Sequence, residues 1–287
     1  MRGEGGRGGL RETLKDKLPK ELLHFIPSSF DIIGSREGAV AIIELPEELN
    51  PYEKVVAEAL MKTHKNVRSV LRKLSGRTGA YRLREFKLLL GEDNTEVIHK
   101  EHGCLFKLDP RKVYFSPREA TERVRIAKQV KPNELILVMF SGVGPYPIII
   151  AKKQPQVRKI YAIELNKEAH QYCIENIKLN KLENKIVPFL GDVREICPTL
   201  AENFHRVVMP LPKGAYQFLD LAIPRLRRGG ILHFYHWASE EDLFTEAEKL
   251  VKEAAERFGR EIKVLNRVRV LPYKPRTWKI CIDAEIL

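Results

Sequence analysis

The residues best suited to chemistry lie where two apolar segments end. Residues 135–140 form an aliphatic, β-branched run that leads into Ser141-Gly142-Val143-Gly144. A second apolar run, 159–163, ends at Glu164, twenty residues past Gly144. Glycines let a ligand lie close to the backbone, and an acid after the next strand can bind ribose hydroxyls. This spacing predicts a nucleoside-binding α/β unit, with a ligand-free strand–loop–helix turn as the alternative.

The glycine pattern argues against two common nucleotide sites. A dinucleotide fingerprint needs a third glycine for close helix–strand packing, and residues 145–150 contain none. A P-loop ends in Gly-Lys-Ser/Thr, whereas Gly144 is followed by Pro145 and Tyr146. A nucleoside without phosphates, such as S-adenosylmethionine, fits these limits. The candidate cofactor-binding residues are Phe140, Ser141, Gly142, Gly144, Glu164, Leu165, Asp192 and Val193.

Two of those residues and one further loop follow later predicted strands. Asp192 comes after strand 186–190, where its carboxylate can accept a hydrogen bond from an adenine amino group. A turn aspartate is the alternative. The prolines after strand 206–209 predict a stiff loop that positions a planar substrate, because a target base must leave its stack to reach a methyl donor. Strand termination alone is the other interpretation. The candidate substrate-binding residues are Pro210, Leu211, Pro212 and Lys213.

The charge balance favours a polyanionic partner. The 287 residues carry 50 Lys and Arg against 38 Asp and Glu, which gives a net charge of +12. Such an excess is typical of nucleic-acid binding, although the high charged fraction also fits a heat-adapted protein. One basic set, in the first hundred residues, is expected either to follow a phosphate backbone or to form a solvated face. It consists of Arg68, Arg72, Lys73, Arg77, Arg82 and Arg84.

Cysteine spacing and hydropathy argue against several other classes. The four cysteines include no Cys-x-x-Cys pair and have no clustered histidines beside them, so we expect no metal site and no disulfide framework. No apolar run approaches 18 residues, and there is no signal-peptide pattern. We therefore expect a cytoplasmic protein that does not contact a membrane. We also expect a monomer, although nothing in the sequence determines the oligomeric state. His233 and His236 are expected in the core or at a sheet edge rather than as ligands.

The elements that must position these residues alternate from residue 135 onward. Predicted strands at 135–140, 159–163, 186–190, 206–209 and 231–236 alternate with helices near 145–153, 166–178, 213–226 and 239–259. Such alternation predicts a doubly wound parallel sheet. The last apolar runs, 261–268 and 278–286, predict a hairpin-like pair that reverses the final strand. By analogy of fold, a reversed final strand indicates a methyltransferase rather than a dehydrogenase.

The first part of the chain predicts a second, smaller domain. Residues 1–103 are expected to form an α+β domain for RNA binding or packing, beginning with a flexible tail at 1–9. Residues 104–287 form the expected catalytic domain. Within the first domain, residues 86–90 and 95–99 are predicted to pair as strands.

Five motifs in order resemble one known family. They are 108–123 (LDPRKVYFSPREATER), 140–146 (FSGVGPY), 176–182 (NIKLNKL), 191–195 (GDVRE) and 211–215 (LPKGA). Together they resemble the archaeal and eukaryotic tRNA (guanine-N1) methyltransferases that act at position 37, beside the anticodon. The resemblance implies a class I, Rossmann-like methyltransferase fold with a seven-strand sheet and reversed last strand, plus the N-terminal α+β domain. It also implies S-adenosylmethionine as methyl donor and tRNA as substrate.

Three positions depart from the family pattern. Val138 stands where the family has an acid, Pro210 where it has asparagine, and Gln171 where its helix carries a carboxylate proposed as general base. Guanine N1 must lose a proton to become a good nucleophile, and Gln171 cannot accept it. Glu122, Asp192 or water is left for that role.

Two arginines complete the candidate catalytic set. Arg118 and Arg125, with Glu122 between them, are the candidate catalytic residues; the arginines would stabilise negative charge on guanine O6. Phosphate contacts, or a helix salt bridge with Glu122, are the alternatives. Three other functions stay open: aminocarboxypropyl transfer from the same donor to a wyosine precursor in tRNA, as in a sister family; a weakly catalytic tRNA-binding protein; and small-molecule methylation.

Overall fold

The computed structural model describes residues 9–76, 79 and 84–287. The chain divides into two compact units, one up to Arg118 and one from Glu119 to Leu287. Residues 1–8 of the expected tail lie outside the described residues, and Gly9 begins the first helix. Among the helices described, none is both long and apolar enough to cross a membrane.

The first unit is built around a four-stranded sheet. Strands β1 to β4 follow in spatial order, with β2 and β3 parallel and the outer pairs antiparallel. Helices α1 and α2 and two 3-10 turns pack their leucines against one apolar core. The bounds are α1 Gly9–Leu14, β1 Asp31–Ser35, β2 Gly38–Ile43, α2 Glu53–Thr63, β3 Val67–Lys73 and β4 Phe86–Gly91, with 3-10 turns Lys20–Phe25 and Glu47–Tyr52.

The predicted pairing of segments 86–90 and 95–99 is wrong. Strand β4 pairs with β3, whereas β5 (Val97–Glu101) forms a separate hairpin with β6 (Cys104–Leu108). The cause is the close approach of β4 to β3 at Gly91, where φ is 102° and a Cβ would lie 2.0 Å from the Arg68 carbonyl oxygen. Glycine alone tolerates this approach, and the chain then leaves the sheet.

The β5–β6 hairpin belongs to the first unit. The backbone N–H of Gly34 donates to His99 Nδ1 at 3.1 Å, which ties β5 to β1. The boundary expected between residues 103 and 104 falls inside this hairpin, and the division after Arg118 keeps both strands together. The assignment of this unit to RNA binding or packing stays a prediction.

The second unit has the predicted doubly wound sheet. Its seven strands lie in the order β12-β13-β11-β10-β7-β8-β9; β7 to β11 are parallel, and β13 runs antiparallel to both β11 and β12. The reversed last strand and the terminal hairpin are confirmed. The bounds are α3 Ala120–Ala127, β7 Leu135–Met139, α4 Pro145–Lys153, β8 Lys159–Glu164, α5 Lys167–Leu179, β9 Ile186–Leu190, α6 Val193–Thr199, β10 Phe204–Met209, α7 Leu219–Arg225, β11 Leu226–Ser239, α8 Thr245–Glu256, β12 Ile262–Lys274 and β13 Thr277–Ile286.

The pattern of burial explains this arrangement. All five residues of β7 are buried, as expected for a central parallel strand covered by helices on both faces. The core combines β7, β10, β11 and β13 with apolar residues of α6, α7 and α8. Helix α6 was not predicted, because its seven residues are too few to show a helical period and include Pro198.

Candidate functional site

The loop after β7 has an unusual backbone. Phe140, Gly142 and Gly144 all have positive φ, at 59°, 56° and 89°. The loop is fixed by a bond from the Ser141 N–H to the Ile163 carbonyl (2.9 Å) and one from the Gly144 N–H to the Ser141 carbonyl (3.0 Å). A non-glycine residue in this region costs energy and marks a place where the surrounding structure enforces the conformation, which is common at binding sites.

Glu164 lies beside this loop, as its spacing predicted. Its carboxylate accepts the backbone N–H of Gly142 at 2.7 Å and that of Asn166 at 2.8 Å. Burial raises the pKa of Glu164, although these backbone donors oppose the rise. The carboxylate is therefore held between the glycine loop and the start of α5, in the crevice where doubly wound sheets bind their ligands.

Helix α5 supports the loop from behind. Asn176 donates from Nδ2 to the carbonyl of Val143 at 3.0 Å. A Cβ on Gly144 would lie 2.9 Å from Cys173 Sγ, so glycine is required there. Neither α5 contact was predicted; the only signal was the place of Asn176 at the start of the 176–182 motif.

The edge of the sheet fits an adenosine-type ligand. Leu165 and Leu190, after β8 and at the end of β9, are 40% and 45% exposed and offer apolar surface to a purine. Ser141 Oγ is buried beside the Cys173 thiol and makes no hydrogen bond to a nitrogen or oxygen of the described residues. Glu164 retains acceptor capacity for ribose hydroxyls. These donors and surfaces fit S-adenosylmethionine.

Asp192 has a structural role at the same edge. Its side chain caps helix α6 by accepting the N–H of Arg194 at 2.8 Å, and it pairs with the Arg194 guanidinium at 3.1 Å. Val193 is buried in the core, so its side chain is not available to a ligand. A contact with adenine stays a prediction for both residues.

The proline loop contains a tight turn, and its stiffness stays a prediction. The N–H of Leu211 donates to the carbonyl of Met209 at 2.8 Å, which closes a three-residue turn centred on Pro210. Pro212 is buried, whereas Lys213 is exposed. The loop therefore presents a turn of the backbone and one exposed cation beside the crevice.

Glu122 and Arg125, two of the three candidate catalytic residues, form one ion-pair system. Arg125 donates from Nε and Nη2 to Glu122 at 2.7 and 2.8 Å. On its other side it donates through both Nη atoms to Asp283. The helix salt bridge considered from the sequence is present, and Asp283 is a partner that the sequence did not indicate.

A chain of hydroxyl groups joins this system to the glycine loop. The Tyr235 hydroxyl donates to Glu122 Oε1 at 2.5 Å, and the Tyr146 hydroxyl donates to the Tyr235 oxygen at 3.2 Å. Tyr146 is the second residue of α4, immediately after Gly144 and Pro145. Burial raises the pKa of both tyrosines well above the usual value. They therefore act as neutral donors at physiological pH.

The ion pairs continue through the core. His233 lies between Asp283 (2.6 Å) and Arg206 (2.6 Å), and Arg206 pairs with Glu134 at 2.8 Å. Burial raises the pKa of Asp283, but His233 and Arg125 outweigh it and hold that pKa below its ordinary range. His233, Cys281 and Asp283 lie close enough together to hold a metal. Their donors are instead used by this network, in agreement with the core position expected for His233.

Arg118 lies in the first unit. Its Nε donates to Asp31 Oδ1 at 2.6 Å, and Lys73 approaches the other Asp31 oxygen at 3.8 Å. Arg72, from the same basic set, pairs with Glu53. The set is thus partly neutralised within the unit; Arg77 and Arg82 lie outside the described residues. The contribution of Arg118 to catalysis stays a prediction.

Val138 and Gln171, two of the positions that differ from the family pattern, fit their surroundings in the fold. Val138 is completely buried in β7, where an ionised side chain would need a partner. Gln171 lies on α5 and donates to Glu175 at 3.3 Å in an exposed pair. Neither supplies a proton acceptor to the site.

Family models match nearly the whole described chain. Residues 97–265 match the TRM5/TYW2 methyltransferase domain, and residues 10–95 match the TYW2 N-terminal domain. The tRNA (guanine(37)-N(1))-methyltransferase Trm5b of Pyrococcus abyssi is 44% identical over 94% of this chain and 78% of its own length. The tRNA(Phe) (4-demethylwyosine(37)-C(7)) aminocarboxypropyltransferase of Pyrococcus horikoshii is 32% identical over 100% of this chain and 99% of its own.

A solved complex also matches. The structure of aTrm5 with tRNALeu superposes with a TM-score of 0.84 at 36% identity, over 97% of this chain and 78% of that one. The likeness therefore extends over both units of the chain.

Proposed function

Because this chain belongs to the TRM5/TYW2 methyltransferase family, we propose that it transfers a methyl group to N1 of the guanine at position 37 of tRNA. The observation that carries this proposal is the 44% identity to a guanine-37 methyltransferase across 94% of the chain. The geometry supports it, since the glycine loop, Glu164 and the proline loop meet at one edge of the sheet.

The cofactor is S-adenosylmethionine, which supplies the methyl group when bound. Gly142, Gly144 and Glu164 would hold its nucleoside part, and Leu165 would cover one face of the purine. The proline loop would fix the plane of the target guanine. Most of the rate enhancement then comes from positioning, since in-line displacement needs the two reacting atoms aligned.

Glu122 is our proposed acceptor for the guanine N1 proton. Both carboxylates have partners, since Asp192 caps α6 and Glu122 accepts from Arg125 and Tyr235. We favour Glu122 because the hydroxyls of Tyr235 and Tyr146 form a hydrogen-bonded path from it to the first turn of α4, directly after the glycine loop. A positioned base contributes roughly 10²–10⁴-fold. Arg125 donates two hydrogen bonds to Glu122 and so keeps that carboxylate in one orientation.

Aminocarboxypropyl transfer is the second candidate. Two observations favour it: the match of residues 10–95 to the TYW2 N-terminal domain, and the full-length match to the Pyrococcus horikoshii enzyme. The higher identity to the methyltransferase ranks it second. Catalytically weak tRNA binding ranks third. We further propose that the protein acts as a monomer in the cytoplasm, on tRNA.

Isotope transfer separates these functions. Unmodified tRNA transcripts and, in parallel, tRNA carrying the wyosine precursor are incubated with S-adenosylmethionine labelled in either the methyl or the carboxyl carbon. The RNA is digested and its nucleosides are identified by mass spectrometry. Methyl label on N1-methylguanosine supports the main proposal. Carboxyl label on the precursor tRNA supports the second, and tight binding without label supports the third.

A further inference from the structure

We propose that the protruding end of the terminal sheet strands binds unpaired nucleotides of the RNA through the neighbouring rings of Trp237 and Tyr273. This surface, termed the aromatic wall, also includes Lys274 and Arg276. The inference rests on the proposed function insofar as it takes RNA as the substrate.

The register of the sheet shows that this end protrudes. Met209, the last residue of β10, pairs with Phe234, whereas β11 continues to Ser239. Five further residues at about 3.3 Å each carry β11 roughly 16 Å beyond β10. Strand β13 pairs with this whole extension, and β12 pairs with β13 up to Lys274. A three-stranded extension therefore rises beside the Pro210 loop.

Aromatic rings lie on one face of this extension. Trp237 and Tyr273 are 4.0 Å apart between ring centroids with an interplanar angle of 33°. Tyr273 is 46% exposed although it is a large aromatic residue. Aromatic rings next to a cationic surface are the usual platform for unpaired bases.

The charge of the hairpin complements a phosphate backbone. From Ile262 to Lys279 there are six basic residues and no acidic one. Arg267 is paired with Glu248 and Lys279 with Glu119, whereas the described residues provide no carboxylate partner for Lys274 or Arg276. The two cations at the tip are thus available to phosphates.

Acidic residues lie near both faces of the extension: Glu246 of α8 on one face, and Glu119 and Glu122 on the other. Residues 240–242 lead from β11 into α8. His236, which neighbours Trp237 and points to the opposite face of the strand, approaches Glu246 of α8 at 3.7 Å. Trp237 therefore points to the other side of the sheet, where Tyr235 contacts Glu122 of α3.

Binding of two RNAs to the full chain tests the proposal. One probe is an end-labelled hairpin with the anticodon stem and loop, and the other is a duplex of the same stem without a loop. Tyr273→Ala should weaken hairpin binding by about 5- to 150-fold and leave duplex binding unchanged. Tyr273→Phe should restore it. The matched control is Phe258→Ala, since Phe258 is 43% exposed but follows α8.

The cations give an independent readout. Replacing Lys274 and Arg276 by glutamate should lower the salt slope of hairpin binding by about 0.7 for each phosphate that the variant no longer neutralises. Lys263→Glu, at the other end of β12, is the control and should leave the slope unchanged. Thermal unfolding checks that all variants fold.

Three results would overturn the aromatic wall: equal loss with Tyr273→Ala and Phe258→Ala, no loss with either, or failure of the unchanged chain to bind the hairpin. Binding is measured without cofactor, so the proposed reaction can fail separately. Absence of methyl transfer together with the Tyr273 effect would overturn the reaction and leave the RNA surface in place.

Discussion

Removal of the Arg125 side chain should strongly destabilise the second unit. Arg125 makes four hydrogen bonds to two carboxylates, Glu122 and Asp283, whose side chains are 6% and 0% exposed. Breaking a buried pair by removing one partner costs about 3–5 kcal/mol, because the remaining charge is left uncompensated. In a unit of this size each kcal/mol lowers Tm by about 2–4 °C. Arg125→Ala should therefore lower Tm by roughly 6–20 °C at pH 7.

A surface pair provides the matched control. Arg257 donates to Asp220 at 2.6 Å, and both side chains are more than half exposed. Such pairs contribute about 0–1 kcal/mol, so Arg257→Ala should hardly change Tm. Scanning calorimetry of both variants gives the comparison.

The pH dependence has a definite sign. In the unchanged chain the pKa of Asp283 is lower in the folded protein than in the unfolded chain, where it is about 3.9. The ionised Asp283 therefore stabilises the folded state fully above the unfolded pKa, and this stabilisation is lost as pH falls through the lower folded pKa. In Arg125→Ala the buried Asp283 carboxylate has lost one of the cations that lower its pKa, so it binds a proton at higher pH than in the unchanged chain. The Tm difference between the two proteins should narrow from pH 7 to pH 5. A Tm loss below about 3 °C at pH 7, or a difference that does not narrow, would refute this reasoning.

Four further outcomes are expected. Gly142→Val places a β-branched residue at a φ of 56°, which costs strain of about 1–3 kcal/mol. Binding of S-adenosylmethionine should therefore weaken by roughly 5- to 150-fold. Unchanged affinity by calorimetry would exclude the glycine loop as the cofactor site. Asp192→Ala should lower the free energy of unfolding by about 1 kcal/mol through loss of the α6 cap, and it should also weaken cofactor binding. Asp192→Asn keeps the cap. Equal cofactor affinity in the unchanged protein and both variants would show that Asp192 does not contact the cofactor. Glu122→Gln should reduce single-turnover methyl transfer by about 10²-fold or more with little change in RNA affinity, and an unchanged rate would exclude it as the base. Burial raises the pKa of Cys173 to about 12, so iodoacetamide at pH 8 should not alkylate it in the folded protein, as peptide mass spectrometry would show; rapid alkylation would contradict its burial behind the glycine loop.

The local pattern of the sequence was enough to predict the catalytic fold. Apolar runs such as 135–139 and 186–190 alternate with helical periods, and this arrangement determines a doubly wound sheet. The contact between Gly142 and Glu164 also follows from spacing, because consecutive parallel strands end at the same edge. Where local signals were weak, prediction failed: α6 is too short to show a period, and the pairing of β4 depends on Gly91 meeting β3.

The partners of the buried charges were decided only by the tertiary structure. Arg125 and Asp283 are 158 residues apart, and nothing in the sequence around either residue indicates the other. Trp237 and Tyr273 likewise meet only because β13 lies between β11 and β12. By itself, the sequence determined the alternation of the central strands with the longer helices and the position of the glycine loop, since these depend on short-range periodicity and backbone preference. The ion-pair network and the aromatic wall required the folded sheet, because long-range packing alone brings those side chains together.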